Sequence, residues 1–181
     1  MTQTLNFHPA MDNLALVAAP VAAALRALPA ASASAVLLAA IDPDLADTAA
    51  FCSAYGFDPG ACANCVVVAG RREGVERYAA CVVLATTRAD VNGVVRRHLD
   101  VRKISFARLD DAVERTGMEY GGITALGLPH DWPLLVDSAV LRAGDVLMGS
   151  GLRGSKLLLP ARVLAELPAA EVIDDLGRPA G

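Results

Sequence analysis

Four glycines fall within the twelve residues from Thr116 to Gly127, and this run constrains the fold more than any other segment. It reads Thr116-Gly117-Met118-Glu119-Tyr120-Gly121-Gly122-Ile123-Thr124-Ala125-Leu126-Gly127-Leu128-Pro129, between a helical stretch and an apolar, strand-like one. Glycine costs backbone entropy and packs nothing, so such a density points to positive φ angles or to backbone lying against a ligand. An exposed row of peptide N–H groups holds an anion or a carbonyl oxygen without any charged side chain. From the glycines alone, a tight connection between two elements is the simpler reading.

The rest of the chain bounds what surrounds this run. Its 181 residues make one ordinary domain, large enough to bury a real core. Hydrophobic residues make up 54% but aromatics only 4%, so Ala, Val and Leu fill the interior. That suits a compact α/β protein rather than an extended platform for stacking bases. The net charge of −4 argues against broad nonspecific nucleic-acid affinity and leaves room for a local basic patch. No apolar run reaches the roughly 18 residues that a membrane span needs. The N-terminus lacks a basic start and a signal-like apolar core, so the expected location is cytoplasmic, away from membranes.

Cys52, Cys62, Cys65 and Cys81 raise the questions of metal and redox chemistry, with Cys62-Ala63-Asn64-Cys65 forming a CxxC. The surrounding residues favour packing. Cys65 opens the apolar Val66-Val67-Val68, and Cys81 lies inside Ala79–Leu84. No metal and no cofactor are expected. The three histidines, His8, His98 and His130, form no nucleophile constellation. His130, beside the glycine run, reads as a solvated loop residue or as a general base.

Periodicity supplies a coarse organisation. Leu14, Val17, Val21, Leu25 and Leu28 carry helical spacing over residues 12–28, with Pro20 expected to kink or divide the helix. Ala30–Ser34 reads as a small-residue linker and Val36–Ile41 as a buried strand. Asp47 or Thr48 caps a short helix closed by Gly56. Cys65–Ala69 and Tyr78–Ala85, separated by a charged, Gly-containing turn, read as a hairpin. Asp90 starts a helix through Leu99, Lys103–Ala107 is a strand, and Leu109–Thr116 is a helix. Strands follow at 134–136, 146–148 and 157–159, then a helix to Leu167 and a last strand at 172–173. Strands outnumber the gaps that hold crossover helices. The expected class is therefore α/β of the mixed α+β kind, with a mixed, mostly antiparallel central sheet or a partly closed barrel and flanking helices.

Three segments together resemble a known family. The pattern Thr-Gly-x-x-x-Gly-Gly-[Ile/Val]-x-Pro-x-Gly followed by Leu-Pro-x-x-[Val/Ile]-Asp is similar to the central signature of the YbaK/ProX-type aminoacyl-tRNA deacylases. These are freestanding relatives of the editing domain in bacterial prolyl-tRNA synthetases. Here it reads Thr116–Asp137. Asp47–Cys52 with Tyr55-Gly56-Phe57 resembles the family's early helix, and Gly149–Gly154 with Leu157–Pro160 its late Gly-rich turn and strand. The likeness covers about residues 34–176, in the family's order. It implies a helical extension at 1–33 packed on an editing-domain-like unit at 34–176, with a flexible tail at 177–181.

The resemblance implies a trans-editing hydrolase that deacylates a mischarged aminoacyl-tRNA bearing a small amino acid of the Ala, Cys or Ser class. It would use backbone donors and bound water, with an aminoacyl-tRNA synthetase as a candidate partner. It implies a catalytic set of Asn64, Gly121, Gly122, Ser150 and Gly151, and a substrate-binding set of Cys65, Thr124, Asp137, Gly149, Arg153 and Lys156. Asp137 reads equally well as a cap on the turn after its strand. Arg96, Arg97, Arg102 and Lys103, the densest basic cluster, are the candidate tRNA contact or a solvated face. Two positions depart from the pattern. Asn64 stands where most relatives carry a Lys, and Ala125 stands where the signature has Pro. Asn donates a hydrogen bond but brings no charge, so the alternative is a catalytically weakened binding module for an aminoacyl-tRNA end or a small metabolite. Lys156 or Arg153 on the late turn can replace the missing charge.

Overall fold

The computed structural model describes residues 4–179. Its strands are β1 (His8–Pro9), β2 (Leu37–Ala40), β3 (Ala63–Arg72), β4 (Val75–Leu84), β5 (Thr87–Ala89), β6 (Lys103–Phe106), β7 (Leu134–Asp137), β8 (Asp145–Gly149), β9 (Ser155–Pro160), β10 (Ala170–Ile173) and β11 (Gly177–Pro179). Its helices are α1 (Ala19–Ala27), α2 (Ala30–Ser34), α3 (Thr48–Tyr55), α4 (Arg96–His98), α5 (Leu109–Thr116) and α6 (Ser138–Arg142).

Local chemistry sets the element ends. The Asp47 carboxylate accepts from the N–H groups of Ala49 and Ala50 and caps α3, which Gly56 closes. Asp90 does the same for Gly93 and Val94, starting one wide helical turn that runs into α4. The hairpin of β3 and β4 is longer than its apolar core suggests. The two strands pair over ten positions and turn at Glu73-Gly74, both at positive φ.

Two sheets build the body. One has the order β1-β2-β9-β8 and is antiparallel throughout. The other has the order β10-β7-β4-β3-β6, with β10, β7 and β4 mutually parallel and the rest antiparallel. The architecture is therefore mixed α/β and mostly antiparallel, as the strand count predicts. The sheets touch through a parallel bridge between Cys62 and Leu147 and do not close into a barrel. β4 is buried on both faces: Ala80 and Val82 join the main core with Leu134, Val136, Leu157 and Leu159, while Ala79, Cys81 and Val83 face a second core. A strand covered on both sides reads as a continuous apolar run rather than an alternation, as Tyr78–Leu84 does. No helix among the described residues is long and apolar enough to cross a membrane.

Two expectations change and one narrows. Pro20 divides the run rather than kinking one long helix. It stands in the first turn of α1, where its missing N–H costs nothing, and the residues before it form short 3₁₀ turns. The Ala30–Ser34 linker is helical, because alanine propensity outweighs the two serines. Gly177–Pro179 is not a frayed tail. It pairs antiparallel with β5, and the Gly177 N–H donates to Asp137 at 2.7 Å. Residues 180–181 of the expected tail lie outside the described residues. Val17, Ala18, Val21, Ala22 and Leu25 enter the main core, so the N-terminal segment shares one interior with the rest.

Candidate active site

A cavity of about 600 Å³ opens where the two sheets meet. Its walls come from Ala46–Ala49 at the start of α3, from Cys62 and the Ala63–Val67 stretch of β3 that follows it, from Phe106, Ala107 and Leu109 between β6 and α5, from Tyr120, Gly121 and Ile123 of the glycine run, and from Leu147–Gly149 and Lys156 of the antiparallel sheet. The lining is mainly apolar, with a few polar groups among the small side chains, as in small-ligand sites generally.

Lys156 supplies the positive charge, and the Asp47 carboxylate on the same lining is engaged by the first N–H groups of α3. Alternation along β9 sends Leu157 and Leu159 into the main core and turns Lys156 the other way, toward Phe51. The side chain is 95% buried (5% relative exposure), and Nζ donates to the Ala46 carbonyl at 2.7 Å. An ammonium has three N–H bonds, so two remain for the cavity. Burial pulls the Lys156 pKa below its ordinary value, an effect that the neighbouring Cys62, Asp47 and Cys52 partly oppose.

Asn64 lies on the same wall, half-buried on β3. The Thr48 hydroxyl donates to its Oδ1 at 2.8 Å, which fixes the amide and leaves Nδ2 with no protein acceptor among the described residues. In the sequence Thr48 reads only as an alternative cap of α3 within the resembling early helix; the cap is Asp47, and the contact of Thr48 with Asn64 has no sequence signal.

The two glycine segments pack backbone to backbone. The Gly151 N–H donates to Gly122 O at 2.8 Å, Glu119 N–H donates to Gly151 O at 2.8 Å, and Gly122 N–H donates to Glu119 O at 2.9 Å. A Cβ on Gly122 would sit 2.8 Å from the Leu152 carbonyl, and one on Gly149 would sit 2.5 Å from the Gly122 oxygen. These glycines permit close approach, but the amides of Gly122 and Gly151 are already engaged. Gly121 differs: it holds φ +82°, lines the cavity, and its N–H has no acceptor among the described residues; the same is true of the Ile123 N–H.

The expected set thus divides. Asn64, Cys65, Gly121, Gly149 and Lys156 come together on the cavity; Gly122, Gly151, Ser150, Thr124, Asp137 and Arg153 do not. Ser150 is fully buried and bonded to Ser155 Oγ at 2.6 Å, while Ser155 Oγ donates to Leu16 O at 2.6 Å, so this hydroxyl braces the turn. Thr124 is buried beneath the run, with an Oγ1 that has no hydrogen-bond partner among the described residues. Asp137 caps α6 through Ala139 and binds Gly177, the capping role that its position also allowed. Arg153 clamps the run from outside, donating to Tyr120 O at 3.3 Å and Pro43 O at 2.8 Å. Arg96, Arg97, Arg102 and Lys103 are all exposed and line no part of the cavity, and His130 is likewise exposed and outside it.

The thiols diverge. Cys52 and Cys62 lie 3.6 Å apart, Cys65 lines the cavity, and Cys81 faces the second core. The CxxC pair itself does not meet as a unit. Burial, with the neighbouring Cys52, pushes the Cys62 thiol up to about 12, and burial also raises Cys65 and takes Cys81 to about 12. These groups are neutral at pH 7 and poor nucleophiles. Among the described residues, no group of three or more His, Cys, Asp or Glu side chains is placed to hold a metal ion.

Comparison with known proteins bears on the family and the fold. The profile of the aminoacyl-tRNA editing domain matches residues 42–167. A hypothetical protein, APE2540, has a similar fold at 23% identity and a TM-score of 0.68, over 78% of this chain and 90% of the other. A candidate trans-editing enzyme for prolyl-tRNA synthetase is similar at 19% identity and a TM-score of 0.69, over 86% of this chain and 93% of its own. At these identities the two structures speak for the fold.

Proposed function

The chain belongs to the aminoacyl-tRNA editing domain family, and from that premise we propose that it is a trans-editing hydrolase for a mischarged aminoacyl-tRNA. Its substrate is the ester between a small amino acid, of the alanine, cysteine or serine class, and the tRNA for proline or a similar tRNA. The observation that carries this reading is the cavity itself. A buried ammonium, an amide side chain and uncommitted backbone N–H groups surround a small, mostly apolar space.

The proposed chemistry needs no protein nucleophile. Water attacks the ester carbonyl carbon and negative charge collects on the carbonyl oxygen. The acyl C–O bond then breaks and the ribose oxygen leaves with a proton. Free amino acid and a tRNA with its terminal hydroxyl restored are the products. Lys156 Nζ and the N–H groups of Gly121 and Ile123 stabilise the oxyanion, a contribution that a dry site strengthens. Asn64 Nδ2 orients the water or a ribose hydroxyl, so that attack begins from a fixed geometry. The thiols of Cys52, Cys62 and Cys65 make a small, soft surface for the side chain. Arg96, Arg97, Arg102 and Lys103 meet tRNA phosphates, which makes affinity fall as salt rises. In this reading Lys156, rather than a residue at position 64, provides the cation.

The test is a deacylation panel with alanyl-, cysteinyl- and seryl-tRNA for proline at micromolar enzyme. Release of at least one amino acid well above the uncatalysed rate is expected, and an untouched panel sinks the proposal. Asn64 in place of the family's Lys favours a second reading, a binding module without turnover. Tight binding of the same tRNAs without hydrolysis, with hydrolysis appearing only in Asn64→Lys, would favour it.

A further inference from the structure

Three large apolar side chains stand exposed around the mouth of the cavity: Phe106 (63% exposed), Tyr120 (64%) and Leu109 (48%). In a chain with only 4% aromatic residues, two open rings at one mouth call for an occupant. The ring in the interior shows the contrast, for Trp132 is buried and stacked on Tyr78 at 5.0 Å. Charge around the mouth is asymmetric. Phe106 ends β6, and Lys103 begins it, roughly 10 Å away at about 3.3 Å per residue. Arg102 precedes Lys103, and the two are exposed and without ion pairs among the described residues. The depression beyond Tyr120 and Leu109 carries three carboxylates, Asp110, Glu114 and Glu119, against one guanidinium, Arg153, which is engaged by the Tyr120 and Pro43 carbonyls.

Resting on the reading of the cavity as an ester-hydrolysing site, we propose that Phe106 and Tyr120 form a base-stacking rim. This rim grips the terminal adenine of the aminoacyl-tRNA while the ester enters the cavity. Aromatic faces accept any base, and stacking needs no hydrogen-bond readout, so the rim recognises a nucleoside end and leaves amino-acid choice to the interior. The phosphates of the preceding nucleotides run along the β6 side, past Lys103 and Arg102, because Asp110 and Glu114 repel them from the depression beyond Tyr120 and Leu109. Leu109 packs against the base edge. The rim thus divides affinity from chemistry: it acts on binding and not on the bond that breaks.

Two non-hydrolysable probes test this: 3′-alanylamino-3′-deoxyadenosine and the same aminoacyl sugar lacking its base, titrated into the full-length protein by calorimetry. Wild type should bind the adenosine form tighter by about tenfold or more, and Phe106→Ala and Tyr120→Ala should each remove most of that advantage, in line with the worth of one stacked base. Tyr120→Phe should retain it. Both side chains are exposed, so neither variant empties the core. Equal binding of the two probes to wild type, or an undiminished preference in both alanine variants, overturns the rim while leaving the hydrolase reading intact. Binding of neither probe, together with an untouched deacylation panel, overturns both. In steady state, the alanine variants should raise KM for alanyl-tRNA and leave kcat unchanged; a fall in kcat at constant KM contradicts the proposal.

Discussion

The seam between the two glycine segments and the cavity beside it are built from neighbouring residues but differ in how their polar groups are used. At the seam the backbone groups and the Ser150 hydroxyl are paired, while Thr124 Oγ1 beneath the run has no partner among the described residues. Gly151 bonds to Gly122, Glu119 to Gly151, and Ser150 to Ser155, and the Leu152 backbone fills the space that a side chain on Gly122 would need. In the cavity Lys156 spends one donor on Ala46 and keeps two, Asn64 keeps its Nδ2, and the amides of Gly121 and Ile123 are uncommitted. The difference teaches that glycine density marks two separate jobs. At Gly122 and Gly149 it allows backbones to touch, whereas Gly121 takes a positive φ at the cavity wall and its N–H has no acceptor among the described residues. A region whose backbone is paired is scaffold, and a region with spare donors is where a reacting oxygen can be held.

The largest effect should come from the cavity. Lys156→Met keeps the stem and removes the charge. It should lower the deacylation rate by about 10²–10³-fold, the usual cost of losing one oxyanion donor. The pH response has a definite sign. Wild-type activity should decline on the alkaline side as Lys156 deprotonates, below the ordinary lysine value of 10.5. The folded protein binds this proton more weakly than the unfolded chain. The stability of wild type relative to Lys156→Met should therefore improve as pH rises through that depressed value toward 10.5, seen in paired denaturant titrations. A flat difference would mean that burial of the ammonium costs nothing.

At the seam, Gly149→Ala forces a methyl onto the Gly122 carbonyl and should cost about 1–3 kcal/mol in urea unfolding, the range for overpacking. Ser150→Ala should cost about 1–2 kcal/mol, because Ser155 loses a buried partner, while kcat per folded molecule stays constant. The smallest effect belongs to Thr48→Val. It should cost roughly 0.5–1.5 kcal/mol and lower kcat a few-fold by freeing the Asn64 amide to rotate. Loss of activity in Ser150→Ala beyond its loss of folded protein would erase the distinction between seam and cavity.

The sequence carried some of this openly. The capping carboxylate of Asp47 marked the start of α3, the closing glycines Gly56 and Gly117 marked the ends of α3 and α5, and the apolar runs marked the hairpin, because those signals act over a few residues. Lys156 was visible as a lone charge opening a strand of leucines, yet which face it takes depends on register with β2 and β8. The fate of each glycine amide was hidden, since Gly122 and Gly151 meet across a gap of 29 positions. The pairing of Gly177–Pro179 with Thr87–Ala89 joins segments about 90 residues apart and leaves no local trace. The family resemblance put Ser150 in the catalytic set, and only its contact with Ser155 gives it a structural role.

The most direct test of this account is a single-turnover assay on alanyl-tRNA for proline, with Lys156→Met and Ser150→Ala run beside wild type and each rate scaled to folded protein. The account predicts a wild-type rate well above background, a loss of about 10²-fold or more in Lys156→Met, and a wild-type rate in Ser150→Ala. A Lys156→Met rate equal to wild type, or equal losses in both variants, would contradict it.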